Sequence, residues 1–318
     1  MSKLLRYASY YAFVALAIVS DGPPVIHPND PLENEGEIDF DRYEQKFPYV
    51  TPNNVTQYTQ GELYVPYKQN PYALVLFMPG FGACYNAYDV YLEHLASHGF
   101  LAVGMNFFGS PITTDGEHDD KAQQAVQAIA YVRSLDPVIR SLPIYTAGHS
   151  LGGKIAFYAA AQFPEIAGVM ALDPVNAGGP PCAFFPEQCI AYPVATNRQT
   201  GQRGILYLIE SLSSLIMRSA PDPFANPDEQ FNAANFYFGS NGTGLDAAPS
   251  PSLYYDFGNY PHTIYIPALP SKQVQIIKRT MLAFLLKEAA GKNVDKYLTG
   301  TIIKQDIDKR RLDSVQSR

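Results

Sequence analysis

The stretch Gly148-His149-Ser150-Leu151-Gly152-Gly153 decides the fold because of where it stands in the chain. An apolar run at Leu142–Thr146 precedes it and predicts a buried strand, and Lys154–Gln162 follows it with helical spacing. A serine on a tight strand-to-helix turn needs small residues two positions before and after it, and glycine fills both. The motif therefore predicts a nucleophilic serine, Ser150, with Gly148 and Gly152 as the elbow glycines.

Apolar runs and amphipathic segments alternate along the rest of the chain, which predicts a mostly parallel sheet with right-handed crossovers. Further strands are predicted at Ala73–Met78, Leu101–Phe107, Ala167–Leu172 and Ile205–Ile209, and helices at Tyr88–His98, Lys121–Leu135 and Gln273–Lys287. With the elbow, this order predicts an α/β class protein with the α/β-hydrolase fold: a doubly wound sheet, helices on both faces, and lid-like loops at 174–203 and 219–261.

The partners of the serine should follow it in the order acid, then histidine. His262 is the only histidine after Ser150. Asp173 directly follows a predicted strand and precedes Pro174, which directs its carboxylate to the carboxyl edge of the sheet. Glu210, at the end of the next predicted strand, is the alternative acid. Three further aspartates stay open as candidates: Asp222, Asp246 and Asp256.

An oxyanion formed at Ser150 would need two backbone donors, each worth about 2.7–4 kcal/mol. The first predicted donor is the amide of Leu151, the residue directly after the serine. The second is predicted at the Phe81 amide, in the Pro79-Gly80-Phe81-Gly82 turn after a strand.

Composition excludes several other classes of protein. The 318 residues carry a net charge of −7, which does not favour nucleic acid as a partner. Three cysteines are too few for a disulfide scaffold; a Cys182–Cys189 bridge stays open, and Cys84 is expected to be a buried apolar residue. His94 and His98 lack the glutamate that directly follows the first histidine in a zincin helix, and they are expected on the polar face of a helix. Neither a metal nor a cofactor is predicted.

The ends of the chain differ from its middle in composition. Residues 1–20 have a basic start and a short apolar run, which predicts a signal peptide and export; a membrane anchor at residues 8–19 is the alternative. Residues 21–54 are predicted to be a leader segment, 55–300 a single hydrolase domain, and 301–318 a solvated charged tail. The oligomeric state stays open.

Several segments resemble the chlorophyllases, and the Ala-Ser-His-Gly-Phe run at 96–100 also resembles polyester-degrading cutinases. The chlorophyllase-like segments are Tyr85–Tyr88, Leu92–Phe100, Gly148–Lys154, Leu172–Val175, Asn226–Asn232 and Tyr260–His262. The resemblance implies that Asp173 is the acid of a Ser-His-Asp triad; pancreatic-type lipases and platelet-activating-factor acetylhydrolases place theirs after the same strand. The chain departs from chlorophyllases at Pro79, where they have histidine, and at Leu151, where they have arginine.

These observations predict a serine esterase that cleaves a bulky apolar ester. The enzyme would be either chlorophyllase-like or of the cutinase and lipase type. Its partner would be a small or lipid-like ester, with transient contact to a lipid surface. The alternatives are a phospholipid acyl hydrolase of the platelet-activating-factor-acetylhydrolase type and a non-catalytic binding protein on a hydrolase scaffold. A degenerate scaffold usually loses the serine or the histidine, whereas Ser150 and His262 are both present.

Amide variants of Asp173 and Glu210 distinguish the two candidate acids. We expect Asp173→Asn to lose at least about a thousandfold in turnover, because the amide favours the wrong histidine tautomer. Glu210→Gln should lose less than about tenfold. The turnover numbers of purified, folded variants measure this, and the opposite ranking would assign the acid to Glu210.

Overall fold

A computed structural model of the protein describes residues 32–67, 70–107, 117–175, 209, 212–220, 234–238, 247–267 and 271–318. Within these ranges nine strands form one sheet: β1 Phe40–Val50, β2 Thr56–Pro66, β3 Leu74–Met78, β4 Leu101–Met105, β5 Ile144–His149, β6 Ile166–Leu172, β7 Ser213–Arg218, β8 Ser252–Asp256 and β9 Ser314–Ser317. Their order across the sheet is β1-β2-β4-β3-β5-β6-β7-β8-β9.

The helices of the described residues lie between strands that follow one another along the chain. They are α1 Asp89–Ser97, α2 Glu117–Leu135, α3 Pro137–Ser141, α4 Leu151–Gln162, α5 Ala234–Phe238, α6 Lys272–Glu288, α7 Asp295–Leu298 and α8 Thr301–Asp308, with 3₁₀ helices at Tyr85–Tyr88 and His262–Tyr265. The six strands from β4 to β8 along the sheet are parallel, and antiparallel strands flank them at both edges.

The parallel strands are apolar throughout because helices cover both faces of the sheet. In β3, Leu74, Leu76 and Met78 face the core beneath α2 and α4. Val75 and Phe77 face the opposite core, beneath α1 and α6. Because β3, β5, β6 and β7 run parallel, their carboxyl ends lie at one edge of the sheet.

Most predicted elements are confirmed, with boundary shifts of a few residues. The predicted strand Ile205–Ile209 differs: residues 205–208 lie outside the described residues, and Ile209 lies in no strand. The strand that pairs with β6 on the side away from β5 is β7, Ser213–Arg218. Leu215 and Ile216 face the two opposite cores and are both fully buried, which gives β7 the packing of a central strand.

The domain boundary expected at residue 55 differs from the structure, because β1 lies within the expected leader. β1 pairs with β2 along its whole length, from Phe40↔Pro66 to Val50↔Thr56. Gln45, Phe47 and Tyr49 alternate toward the interior, and this period of two makes the segment a strand. The signal-peptide and membrane-anchor predictions lie outside the described residues.

His94 and His98 are buried, contrary to the expectation of a polar helix face. The segment before β1 covers them: Gly36 N–H donates to Ser97 Oγ at 2.9 Å. Glu35 Oε2 lies 3.5 Å from His94 Nδ1. The expectation was wrong because the helix pattern alone does not contain this covering segment.

The expected charged tail is also structured. Ile303 on α8 and Leu312 after it are each 1% exposed. β9 pairs antiparallel with β8, from Leu253↔Ser317 to Asp256↔Ser314. The expectation was wrong because these two apolar residues and the edge pairing supply the burial that a solvated tail lacks.

Two smaller expectations concern a cysteine and the membrane. Cys84 is exposed and free rather than buried, because it lies on the surface just before a 3₁₀ helix. Cys182 and Cys189 lie outside the described residues. Among the described helices, none combines the length and the apolar character that a membrane crossing requires.

A buried ion pair fastens α8 to α6. Arg279 Nη2 lies 2.5 Å from Asp306 Oδ2, and both side chains are almost fully buried. Arg279 also contacts Glu33 at 2.7 Å.

We expect Asp306→Ala to lower the free energy of unfolding by about 3 kcal/mol, because it leaves a buried guanidinium with one partner fewer. Urea unfolding monitored by circular dichroism measures this. Asp308→Ala, exposed on the same helix, is the control and should change it by less than about 0.5 kcal/mol. Equal effects of the two variants would contradict a stabilising role for the pair.

Candidate active site

Ser150 lies on a strained turn between β5 and α4. Its backbone has φ 55° and ψ −117°, a conformation that few L-residues adopt. Its N–H donates to the Leu172 carbonyl at 2.9 Å, which fixes the turn against β6. The serine therefore stands at the carboxyl edge of the parallel strands, where sites in such sheets lie.

The two elbow glycines have no room for a side chain. A Cβ on Gly152 would lie 2.1 Å from the Met78 carbonyl oxygen, which belongs to β3. A Cβ on Gly148 would lie 2.4 Å from the Gly152 carbonyl carbon. Both contacts are with backbone, which cannot move aside, so the turn requires glycine at these positions.

Asp173 directly follows β6 and is fully buried. Its carboxylate accepts hydrogen bonds from three donors. Oδ1 accepts from the Ser219 backbone N–H at 3.2 Å, and Oδ2 accepts from the Ser219 hydroxyl. Oδ2 also lies 2.6 Å from Nδ1 of His262. A buried carboxylate with three donors is held in one orientation.

His262 opens the 3₁₀ helix between β8 and α6 and is 8% exposed. Because an ionised carboxylate only accepts hydrogen bonds, the contact with Asp173 places a proton on Nδ1 of His262. In the neutral ring this leaves Nε2 free to accept a proton. The described hydrogen bonds do not include one from the Ser150 hydroxyl to His262, a contact that often tightens only with substrate.

The predicted oxyanion donors belong to two segments that adjoin the serine. Leu151 is the first residue of α4, and Phe81 lies in the turn after β3, where Ala83 N–H donates to the Gly80 carbonyl at 3.1 Å. A Cβ on Gly80 would lie 3.3 Å from Ser150 Cβ, so this turn packs directly against the serine. Among the described residues, neither the Phe81 nor the Leu151 amide donates a backbone hydrogen bond.

Of the alternative acids, the structure describes Asp256, which pairs with other groups than His262. Glu210, Asp222 and Asp246 lie outside the described residues. Asp256 ends β8, where it forms an ion pair with Arg218 at 2.7 Å and accepts from the Gly258 N–H at 2.8 Å. Asp173 is thus the acid that the structure brings together with His262.

Two features of the site escaped prediction from the sequence. Ser219 follows β7 directly, and placing the strand at residues 205–209 hid its position at the sheet edge. His149 has a side chain that is fully buried beside His262, with ring centroids 4.5 Å apart.

No group of three histidine, cysteine or acidic residues suited to a metal ion occurs in the described ranges.

The comparisons with known proteins agree with this architecture. A family model described as the α/β hydrolase fold matches residues 73–207, which include Ser150 and Asp173 but not His262. Together with the mostly parallel sheet and its helices on both faces, this confirms the predicted α/β-hydrolase fold.

The chain is also similar to three cutinases over 119 residues, or 36% of its length. Cutinase 1 of Thermobifida cellulosilytica is 29% identical, with 44% of that protein covered. A cutinase of Thermobifida fusca (strain YX) is 29% identical with 38% covered, and Cutinase est1 of Thermobifida alba is 27% identical with 39% covered. The chain thus spans less than half the length of these relatives.

Ser219 gives a prediction because its hydroxyl and His262 share one oxygen of Asp173. We expect Ser219→Ala to lower turnover about tenfold, since losing a hydrogen bond to a charged group costs about 1.5 kcal/mol or more. Ser219→Thr, which keeps the hydroxyl, should restore most of the activity. The measurement is turnover with a soluble ester.

Ser214 offers the matched control. It lies on β7, is fully buried, and its hydroxyl has no hydrogen-bond partner among the described residues. Ser214→Ala should therefore leave turnover within about twofold. If both alanine variants lost activity equally, the loss would come from β7 and not from the hydrogen bond to Asp173.

Proposed function

We propose that this α/β-hydrolase-fold protein is a serine hydrolase of carboxylic esters, with Ser150 as nucleophile, His262 as general base and Asp173 as acid. The main support is the 2.6 Å contact between Asp173 and His262 at the sheet edge that carries the strained serine. The similarity to cutinases supports the same class of reaction.

The reaction proceeds through an acyl-enzyme. Ser150 Oγ attacks the ester carbonyl carbon while Nε2 of His262 takes the hydroxyl proton. The amides of Phe81 and Leu151 donate to the developing oxyanion. When the tetrahedral intermediate collapses, the ester C–O bond breaks and the alcohol leaves with the proton from His262. A water molecule then attacks the acyl-enzyme with the same base and releases the acid.

Asp173 has two roles in this mechanism. Its contact with Nδ1 keeps His262 in the tautomer whose Nε2 accepts the serine proton. Its buried charge stabilises the imidazolium that forms in each half-reaction. The donors from Ser219 keep the carboxylate from turning away during this cycle.

For the substrate we propose a bulky apolar ester. The aromatic content, 23 tyrosines and 18 phenylalanines, supplies residues for apolar walls. The predicted lid-like loop at 174–203 lies largely outside the described residues, and the one at 219–261 was partly wrong, because α5 and the sheet strand β8 lie within it. Val50, Val55 and Tyr58 are exposed near the turn between β1 and β2, which is compatible with transient contact to a lipid surface. The chlorophyllase-like and phospholipid substrates stay predictions.

Labelling with a fluorophosphonate tests the nucleophile. We expect the wild-type protein to be labelled and to hydrolyse p-nitrophenyl esters, and Ser150→Ala to lose both, with turnover reduced at least about 10⁴-fold. His262→Ala should be similarly inactive because the groups act as a unit. Ser141→Ala, an exposed serine on α3, is the control and should label normally.

The outcome also separates the competing functions. A folded wild-type protein that neither labels nor hydrolyses any ester would favour the binding-protein alternative. A panel of p-nitrophenyl esters of increasing acyl length, with a phospholipid and a chlorophyll added, distinguishes the substrate classes. Preference for phospholipid over every simple ester would contradict the proposed substrate and favour a phospholipid acyl hydrolase of the platelet-activating-factor-acetylhydrolase type.

A further inference from the structure

A chain of three buried hydrogen bonds runs beneath the candidate site. The Gly80 N–H donates to the Tyr88 hydroxyl oxygen at 3.1 Å. The same hydroxyl lies 2.9 Å from Nδ1 of His149, whose Nε2 lies 3.2 Å from the backbone carbonyl oxygen of His262. These three hydrogen bonds therefore connect the turn after β3 with the backbone of the proposed catalytic histidine.

The direction of each hydrogen bond follows from one acceptor. A backbone carbonyl only accepts, so Nε2 of His149 carries the proton. In a neutral ring Nδ1 must then accept, and its donor is the Tyr88 hydroxyl. Burial, and then the neighbouring His262, lower the pKa of His149 well below its ordinary value, which keeps the ring neutral. Every donor and acceptor of the chain is thus satisfied.

The residues of the chain are also packed without free space. A Cβ on Gly80 would lie 3.1 Å from His149 Nδ1 and 3.3 Å from the Tyr88 hydroxyl. The rings of Tyr88 and His149 lie 5.8 Å apart, and Tyr88 packs on Phe77 of β3 at 4.8 Å. A shift of any member would move the others, because protein interiors are close-packed.

We propose that Tyr88 and His149 are positioning residues that fix the oxyanion turn relative to His262. The Gly80 N–H bond holds the peptide directly before the one that carries the proposed Phe81 donor, and the Ala83 N–H holds the carbonyl of that second peptide. At the other end, His149 holds the backbone of His262 while Asp173 holds its ring. The role in turnover rests on the proposed esterase function; the hydrogen-bonded connection itself does not.

Tyr88→Phe tests this role by removing one oxygen. The change leaves the Gly80 N–H and Nδ1 of His149 without partners, so the oxyanion turn loosens. We expect turnover to fall roughly thirtyfold with KM within about threefold, because a misplaced oxyanion donor affects the transition state and not ground-state binding. Steady-state kinetics with a p-nitrophenyl ester measure both quantities.

Tyr91 provides the control on the neighbouring helical turn. It is buried in the same aromatic cluster, 6.2 Å from Phe77 and 6.5 Å from Tyr88. Its hydroxyl has no hydrogen-bond partner among the described residues. Tyr91→Phe should therefore leave turnover within about twofold. Equal turnover in the two phenylalanine variants would overturn the positioning role.

His149→Gln is a second variant that divides the chain. When the amide nitrogen of glutamine occupies the position of Nε2, it keeps the donor to the His262 carbonyl, while its carbonyl oxygen lies away from the position of Nδ1 and does not replace the acceptor of Tyr88. We expect turnover to fall about as much as in Tyr88→Phe. The double variant should have a turnover within about twofold of that of the less active single variant, because the effects of residues that act as a unit are not additive. Additive losses would mean that the two residues act separately.

Amide hydrogen exchange separates failure of this proposal from failure of the esterase function. Peptides spanning residues 79–84 and 259–266 should exchange faster in Tyr88→Phe than in Tyr91→Phe, whatever the activity. If the wild-type protein hydrolyses no ester, the proposed function falls and exchange still tests the connection. Unchanged exchange in Tyr88→Phe would overturn the connection, and faster exchange with unchanged turnover would overturn its positioning role.

Discussion

The strained backbone of Ser150 is the constraint on which the rest of the site depends. A positive φ at a residue with a side chain is unfavourable by about 1–3 kcal/mol and persists only where its surroundings enforce it. Here Gly152 packs against the Met78 carbonyl, and the Ser150 N–H bonds to Leu172. Three neighbouring strands, β3, β5 and β6, thus fix the serine, and the same strands deliver the oxyanion turn and Asp173.

The central strands could be predicted because burial on both faces makes them continuous apolar runs. β3 and β6 are such runs, and each ends at a residue that breaks the pattern, Pro79 or Asp173. β7 was not predicted from the sequence because it begins with two serines and ends in Arg218, whereas the run at 205–209 is more apolar. The edge strands β1 and β9 depend on pairing with distant partners, which no local pattern contains.

The candidate site divides in the same way. Ser150 and His262 could be predicted because a tight turn requires glycines and because a single histidine follows the serine. Asp173 follows from the end of a strand. Ser219 and the role of His149 could not be predicted, since each depends on where a side chain meets a segment more than 40 residues away in sequence. Such contacts arise from the fold as a whole.

Two adjacent histidines with different roles follow from this arrangement. His262 must become positively charged during the proposed reaction, and its ring lies 4.5 Å from that of His149. A second positive charge at that distance would cost about 4 kcal/mol at an effective dielectric constant of about 20. Full burial lowers the pKa of His149 and so removes that cost, while its hydrogen bonds to Tyr88 and to the His262 carbonyl use both ring nitrogens. The elbow histidine is thus compatible with catalysis because it stays neutral, and it stays neutral because the elbow buries it.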